Sequence, residues 1–153
     1  MREQTYVGAL VPLRVAAGWI FLTESLSKLM NHWLDAPKLA GVIAEWLRDG
    51  KPYRVYAPFL SRVVLPHAHG FAYAVTIGEL ALGVALLAGL FTRPAAAAGL
   101  VLVLNYWLAS GARLDANAPA LMFFALLTIL LTQPGRVFGL DAALRGKVPR
   151  WLS

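Results

Sequence analysis

The stretch FAYAVTIGELALGVALLAGLF, residues 71 to 91, decides the fold because Glu79 is its single charged residue. A helix of about 20 apolar residues is long enough to cross the hydrocarbon of a bilayer. A helix buried inside a soluble protein can be equally apolar, so the length of the run has to distinguish the two cases. This run passes the length test and is predicted to be a transmembrane helix.

The composition of the whole chain favours the same interpretation. Of its 153 residues, 59% are hydrophobic and 14% are charged, and the mean hydropathy is +0.62. Soluble domains carry roughly 25% charged residues, so the chain is expected to be a membrane protein. The net charge of +6 suits a surrounding of anionic lipid. Nucleic-acid binding is not expected, because no basic patch carries interleaved aromatic residues.

The chain contains no cysteine, which limits the chemistry that it can support. Disulfides, cysteine-ligated zinc and iron–sulfur clusters are all excluded within this chain. Any electron transfer must therefore use a bound cofactor or a partner subunit.

Two further runs are long and largely apolar, and a fourth, Ala118 to Thr132, is shorter but can be lengthened by Ala116 and Gln133. Together with the first they predict transmembrane helices at about residues 7–30, 71–91, 94–112 and 116–133. The length of the first run and the presence of Arg14 favour a retained anchor over a cleaved signal peptide. Short connections at residues 92–94 and 113–117 make neighbouring helices antiparallel. The predicted fold is all-α, with residues 1–153 forming one domain that is an integral membrane four-helix antiparallel bundle.

The longest polar segment, residues 31–70, joins the first two predicted spans. Within it, Ala36 to Arg48 has apolar residues on one face and charged residues on the other, which predicts an interfacial amphipathic helix. A second short segment, Pro58 to Leu65, is expected to stop at Pro66. Side chains that suit the headgroup level are Trp33, Trp46, Tyr53 and Tyr56.

A basic tail, residues 134–153, follows the last span after the break at Pro134 and Gly135. Asp141 is predicted to cap the short tail helix by accepting hydrogen bonds from its backbone amides, with Arg136 as its partner. Arg14, near the same end, is expected to reach lipid phosphate or to pair with this C-terminal segment. Lys and Arg number six on each predicted face, so their count does not fix the orientation. The spread of the basic residues favours both termini in the cytoplasm.

Polar side chains interrupt three of the predicted spans at one depth. Counted from the side of the long loop at about 1.5 Å per residue, Glu24, Glu79 and Asn105 each lie roughly 9–12 Å deep. Ionisable residues inside a membrane are costly and tend to mark functional sites. Lys28 follows Glu24 by one helical turn and is expected to pair with it. Glu79 has no local cation, so it needs a partner on another helix, with Lys28 as the candidate, or it must be protonated.

A wholly structural interpretation of these residues is the alternative. Lys28 can extend to the interface, Glu24 can merely pair with it, and Asn105 can join two helices by hydrogen bonding. Gly78, Gly83 and Gly89 are then close-packing positions between helices, as are the alanines of residues 95 to 98.

His67 and His69, in LPHAHG, stand where the long loop enters the second span. Two histidines do not make a zinc site, and no cysteine is available to complete one, so no metal centre is predicted. The sequence favours His67 as a proton carrier near the polar layer.

Several segments together resemble the DoxX/DoxD family of small four-helix membrane proteins. They are RVAAGWIFLTESLSKL at 14 to 29, GELALGVALLAGLFTRPAAAAG at 78 to 99, NYWLASG at 105 to 111, DANAP at 115 to 119 and PGRVFGLDAAL at 134 to 144. The match covers nearly the whole length, and the GLD segment after the last helix is the most telling. The family pattern singles out Glu24, Lys28, Gly78, Glu79, Arg93, Asn105, Tyr106, Asn117, Pro119, Gly139, Leu140 and Asp141.

The resemblance implies a membrane subunit linked to quinone redox chemistry, in the plasma membrane of a bacterium or an archaeon. The DoxD branch resembles the membrane subunit of thiosulfate:quinone oxidoreductase, which works with a separate subunit. A soluble or second membrane redox subunit is therefore an expected partner besides the lipid bilayer, and a homo-oligomer is left open.

Three functions follow as hypotheses. In the first, a quinone occupies an apolar slot, Lys28, Asn105 and Tyr106 donate hydrogen bonds, Glu79 or Glu24 carries protons, and His67 and Gly78 belong to the same pocket. Thiosulfate, if it is the reductant, would be attracted by Lys28. The second is a non-enzymatic membrane anchor or assembly factor for soluble redox partners. The third, a small-molecule transporter, is disfavoured because the sequence shows no internal inverted repeat.

Overall fold

The computed structural model describes residues 7–35, 38–111, 118–144 and 147, and this part of the chain is helical without any strand. The prediction of an all-α fold is therefore confirmed. The helices are α1 (Val11–Met30), α2 (Lys38–Arg48), α3 (Ala57–Ala88), α4 (Thr92–Ser110), α5 (Ala118–Thr132) and α6 (Leu140–Ala143). Some residues used in the predictions lie outside the described ranges. They are Ala36 and Pro37 at the start of the predicted amphipathic helix, Asp115, Ala116 and Asn117 before the last span, and the basic residues Arg2, Arg113, Arg145 and Arg150 of the two predicted faces.

The four longest helices pack side by side around one apolar core. The most extensive contacts join α1 to α3 and α4 to α5, and further contacts join α3 to α4 and α1 to α5. Residues from three of these helices lie buried in this core: Phe21 of α1, Leu86 of α3, and Leu126 and Ile129 of α5. The core occupies the middle of the assembly and leaves room for a cavity at the end nearest α2.

Glycine allows α1 and α3 to approach closely. An ideal Cβ built at Gly83 would lie 2.7 Å from the backbone nitrogen of Leu22, and one built at Gly18 would lie 2.8 Å from that of Leu87. Small residues let helix backbones meet at such distances. The close-packing role predicted for Gly83 is confirmed, whereas a Cβ at Gly78 would find its nearest neighbour at 3.8 Å, on Leu102.

Helix α3 begins well before the predicted span, and the prediction that a separate segment stops at Pro66 is wrong. An α-helical turn at Ala57–Phe59 leads into a π-helical stretch, Leu60–Val64, and then a 3₁₀ turn, Leu65–His67, before the regular helix Ala68–Ala88. The change of hydrogen-bonding pattern accommodates the missing N–H of Pro66. The chain therefore passes the proline without leaving the helix.

Two glycines end the long helices earlier than predicted. Gly89 ends α3 and Gly111 ends α4, and both have positive φ, +63° and +64°. Glycine adopts this left-handed conformation without a steric cost, which makes it the usual residue at a helix C-terminus. At Gly111 the reason is also local crowding, because an ideal Cβ would meet the backbone of Lys51.

The C-terminal segment folds back onto the end of the molecule opposite α2. Asp141 is buried and accepts hydrogen bonds from the backbone N–H groups of Phe91, at 2.7 Å, and Thr92, at 2.9 Å. It therefore caps α4, and the prediction that it caps the tail helix is wrong, because Asp141 itself lies inside α6. Arg14 is buried and donates to the carbonyl oxygen of Phe138, which confirms its pairing with the C-terminal segment.

One helix in the described part of the chain is long and apolar enough by itself to cross a membrane. This is α3, Ala57–Ala88, with a mean hydropathy of 1.9 over its most apolar window. Helix α1 has the necessary length but carries Arg14, Glu24 and Lys28, and α5 is shorter. The other three predicted spans remain expectations from the sequence.

Candidate functional site

A cavity of about 660 Å³ lies among α1, α2, α3 and α4, and α5 contributes Pro119 and Met122 to its wall. Its wall is mainly apolar, with aromatic rings from Phe21, Trp33, Trp46, Tyr56, Phe59 and Phe71. Cavities that bind small molecules usually measure about 300–1,000 Å³ and combine an apolar lining with a few polar groups. The size and the lining are therefore suitable for an organic ligand.

A polar cluster on the cavity wall joins three helices. The Lys28 ammonium on α1 donates to both carboxylate oxygens of Glu79 on α3, each at 2.5 Å. It also donates to the Tyr106 hydroxyl on α4 at 2.9 Å, and that hydroxyl donates to Glu79 Oε1 at 2.7 Å. The predicted partnership between Glu79 and Lys28 across helices is confirmed.

Burial explains why these three side chains meet. Glu79 is 3% exposed, and a buried carboxylate without a partner would be strongly unfavourable. Lys28 has three N–H donors and Tyr106 has one O–H, and the contacts within the cluster use all of them. All the donors of the cluster are therefore used by hydrogen bonds to Glu79 or to the Tyr106 hydroxyl.

Glu24 lines the same cavity but does not belong to this cluster. It is exposed at the cavity wall and forms no hydrogen bond or ion pair with the described part of the chain. The predicted pair between Glu24 and Lys28 is therefore wrong, because the ammonium donates to the two carboxylate oxygens of Glu79 and to the Tyr106 hydroxyl. Among the described residues, the Glu24 carboxylate therefore has no hydrogen-bond donor, and it lines the cavity.

Asn105 forms a second polar position on the wall, through a contact that the sequence did not indicate. Its side-chain oxygen accepts a hydrogen bond from the Tyr56 hydroxyl, and its side-chain nitrogen donates to the Val101 carbonyl at 2.7 Å. One N–H of the amide stays available, since a primary amide has two. Burial raises the pKa of Tyr56, so its hydroxyl stays protonated and keeps donating at neutral pH.

Helix α2 covers the cavity with its apolar face. Ile43 is buried, and Leu39, Val42 and Trp46 join it on the cavity wall. Its apolar face packs against Leu60 and neighbouring residues of α3. The sequence predicts the amphipathic pattern of this helix correctly but expects its apolar face to lie at the membrane surface. In the structure that face packs on protein, because a helix with one apolar stripe can also pack in a protein groove.

His67 and Gly78 do not line the cavity. His67 is exposed, and its Nδ1 lies 2.9 Å from the carbonyl oxygen of Val63 in its own helix. His69 packs its ring edge-on against Tyr73. Gly78 precedes Glu79 on α3 but points to a different side of the helix, near Leu102.

Among the residues that the structure describes, the charged side chains of the wall are Glu24, Lys28 and Glu79, which sum to one formal negative charge. The structure thus brings together Glu24, Lys28, Glu79, Asn105 and Tyr106 of the predicted site. The residues that sequence reasoning missed are the aromatic ones of the loop and of α2. The sequence predicts Trp33, Trp46 and Tyr56 at the headgroup level, whereas the fold of the loop places them in the cavity wall.

Comparison with known proteins identifies a family for this chain. A family model described as DoxX matches residues 9–133, which include every residue of the polar cluster and the whole of α2. No solved structure matches the chain. The chain belongs to the DoxX family of membrane proteins.

Proposed function

We propose that this chain is a membrane subunit that binds a quinone in the cavity and serves a quinone-linked oxidoreductase. The observation that carries the proposal is the apolar, aromatic cavity of about 660 Å³ with a closed polar cluster on its wall. Membership of the DoxX family supports it, because the family is often associated with functions related to quinone oxidoreductases.

We propose that α1, α3, α4 and α5 span the bilayer as a four-helix antiparallel bundle, with both termini in the cytoplasm. Large apolar side chains that stay exposed support this arrangement, among them Trp19, Ile77, Leu121 and Leu131. Exposed apolar surface on this scale indicates contact with lipid or with another protein. Each charged group of α1 has protein or cavity surroundings, which removes the main objection to placing that helix in the membrane.

The lining suits a planar ring. Aromatic side chains of the loop, of α2 and of α3 surround the space, and rings stack or pack edge-on in such surroundings. A quinone, when bound, supplies two-electron, two-proton redox chemistry. The residues of this chain hold its ring, exclude water and offer hydrogen bonds to its oxygens.

The polar groups divide into two roles. Lys28, Glu79 and Tyr106 hold three helices together and keep the charge of Glu79 balanced. Asn105, through its remaining N–H, and Glu24, through its free carboxylate, face the cavity and interact with the ligand. The sequence predicts Lys28, Asn105 and Tyr106 as hydrogen-bond donors to the quinone. Of these three, only Asn105 has an N–H or O–H group that is not already donating within the described part of the chain.

The electron donor does not bind in this cavity if it is a small anion such as thiosulfate. Lys28 is neutralised by Glu79, and the wall carries one formal negative charge. Unlike charges attract more strongly as water is excluded, and like charges repel more strongly for the same reason. We therefore assign the donor to a partner subunit, soluble or membrane-bound, that meets this chain outside the cavity.

Binding of a short-chain quinone to the protein in lipid discs tests the proposal. Decylubiquinone is distributed between discs with and without protein, and the excess in the protein discs gives the affinity. Val75→Phe narrows the cavity and is expected to lower that excess at least tenfold, because Val75 lines it. Val84→Phe on the same helix, on an exposed face, is the matched control and should bind like the wild type.

If decylubiquinone shows no excess in the protein discs, or if both substitutions have the same effect, the cavity is not a quinone site. The anchor or assembly-factor hypothesis would then be the stronger one.

A further inference from the structure

We infer that the cavity prefers the reduced, hydroxyl-bearing form of its quinone, and that the Glu24 carboxylate selects it. The inference rests on the proposed function and names the redox form that the site holds most tightly. Glu24 carries it because it is the charged residue of the cavity wall that forms no hydrogen bond or ion pair within the described ranges.

The first step concerns the hydrogens that the wall can offer. Lys28 donates to Glu79 and to the Tyr106 hydroxyl, and Tyr106 donates to Glu79, so their hydrogens are used within the polar cluster and not by a ligand oxygen. Asn105 keeps one N–H, and the indoles of Trp33 and Trp46 also belong to the wall. These donors serve either redox form equally, because a carbonyl oxygen and a hydroxyl oxygen both accept hydrogen bonds.

The second step concerns the acceptor. An ionised carboxylate can only accept, so a ligand beside Glu24 must bring a hydrogen. The hydroxyl of a hydroquinone does so and forms a charge-assisted hydrogen bond, which is among the stronger kinds. The carbonyl of a quinone would place two acceptors together and leave Glu24 unsatisfied as the ligand displaces water.

The third step concerns the net charge. Glu24, Glu79 and Lys28 sum to one negative charge on a mainly apolar wall. Such surroundings disfavour additional negative charge on a ligand and favour groups with a positive edge. A neutral hydroquinone meets this condition, whereas an anionic ligand does not.

The test compares decylubiquinol with decylubiquinone in the lipid-disc assay, without oxygen. A charge-assisted hydrogen bond is worth about ten- to a hundredfold in affinity, so the wild type should bind the reduced form at least tenfold more tightly. Glu24→Gln keeps the size of the side chain and supplies both a donor and an acceptor. It should bring the ratio of the two affinities close to one.

Glu45→Gln is the control, because it removes the same charge from an exposed position on α2 that does not line the cavity. It should keep the wild-type preference. Circular dichroism and the thermal midpoint of Glu24→Gln establish that the variant is folded.

Equal affinity of the wild type for the two forms, or an unchanged preference in folded Glu24→Gln, would overturn this inference while leaving the quinone site in place. Failure of the wild type to bind either form would overturn the proposed function itself.

Discussion

Replacement of Lys28 by methionine gives the sharpest test of how the polar cluster is held together. The substitution keeps an unbranched side chain that is one heavy atom shorter, and it removes the charge opposite Glu79, which is 3% exposed. Breaking a buried ion pair by removing one partner costs about 3–5 kcal/mol, because the remaining charge is uncompensated. Tyr106 still donates to Glu79 in the variant, so we expect the lower end, about 3 kcal/mol.

The opposite substitution should cost less. Glu79→Gln leaves Lys28 with the Tyr106 hydroxyl and an amide oxygen as acceptors, and Lys28 is 16% exposed and has a flexible stem. We expect a loss of about 1–2 kcal/mol. In the double variant, Lys28→Met with Glu79→Gln, the total should fall below the sum of the single losses, since neither charge remains unpaired.

The assay is equilibrium unfolding in mixed micelles with rising SDS, followed by far-ultraviolet circular dichroism. Lys51→Met is the control: its ammonium pairs with Asp49 at 3.0 Å on the surface, where such a pair is worth about 0–1 kcal/mol. A loss below about 1 kcal/mol for Lys28→Met, or strictly additive effects in the double variant, would refute the reasoning.

Two further substitutions test the packing and the C-terminal cap. Gly83→Ala should lower the free energy of unfolding by about 1–3 kcal/mol, because its Cβ would meet the backbone of α1, whereas Gly78→Ala should have little effect. Asp141→Ala should lower the free energy of unfolding by about 2 kcal/mol or more, because the backbone N–H groups of Phe91 and Thr92 lose their acceptor. Asp49→Ala, on the exposed surface, is its control. The same unfolding assay measures all four, and equal losses within either pair would contradict the assignments.

The helices and the partnership of Lys28 with Glu79 could be predicted from the sequence. Long apolar runs report helix positions directly, and a lone carboxylate such as Glu79 must find a cation at its own depth. The missing pair between Glu24 and Lys28 could not be foreseen, because spacing of four residues makes a pair feasible without making it the best one. A buried carboxylate on another helix gains more from the same ammonium.

The end of the molecule around α2 was the least predictable part. Its amphipathic pattern fits a membrane surface and a protein groove equally well, and only the positions of α3 and α4 select the groove. Pro66 is a helix-breaking signal by itself, yet the π-helical stretch before it allows the chain to continue. Asp141 likewise serves a helix that is distant in sequence, and local capping rules consider only its neighbours.

Photolabelling tests most directly the central claim, that the cavity holds a quinone. An azido-substituted quinone is activated in lipid discs, and the labelled peptides are mapped by mass spectrometry. The account predicts label on the cavity wall, at Ile43, Phe71 and Val75, and its loss when excess decylubiquinone is present. Label confined to the outward side chains Trp19 and Ile77, or label that excess decylubiquinone does not reduce, would contradict it.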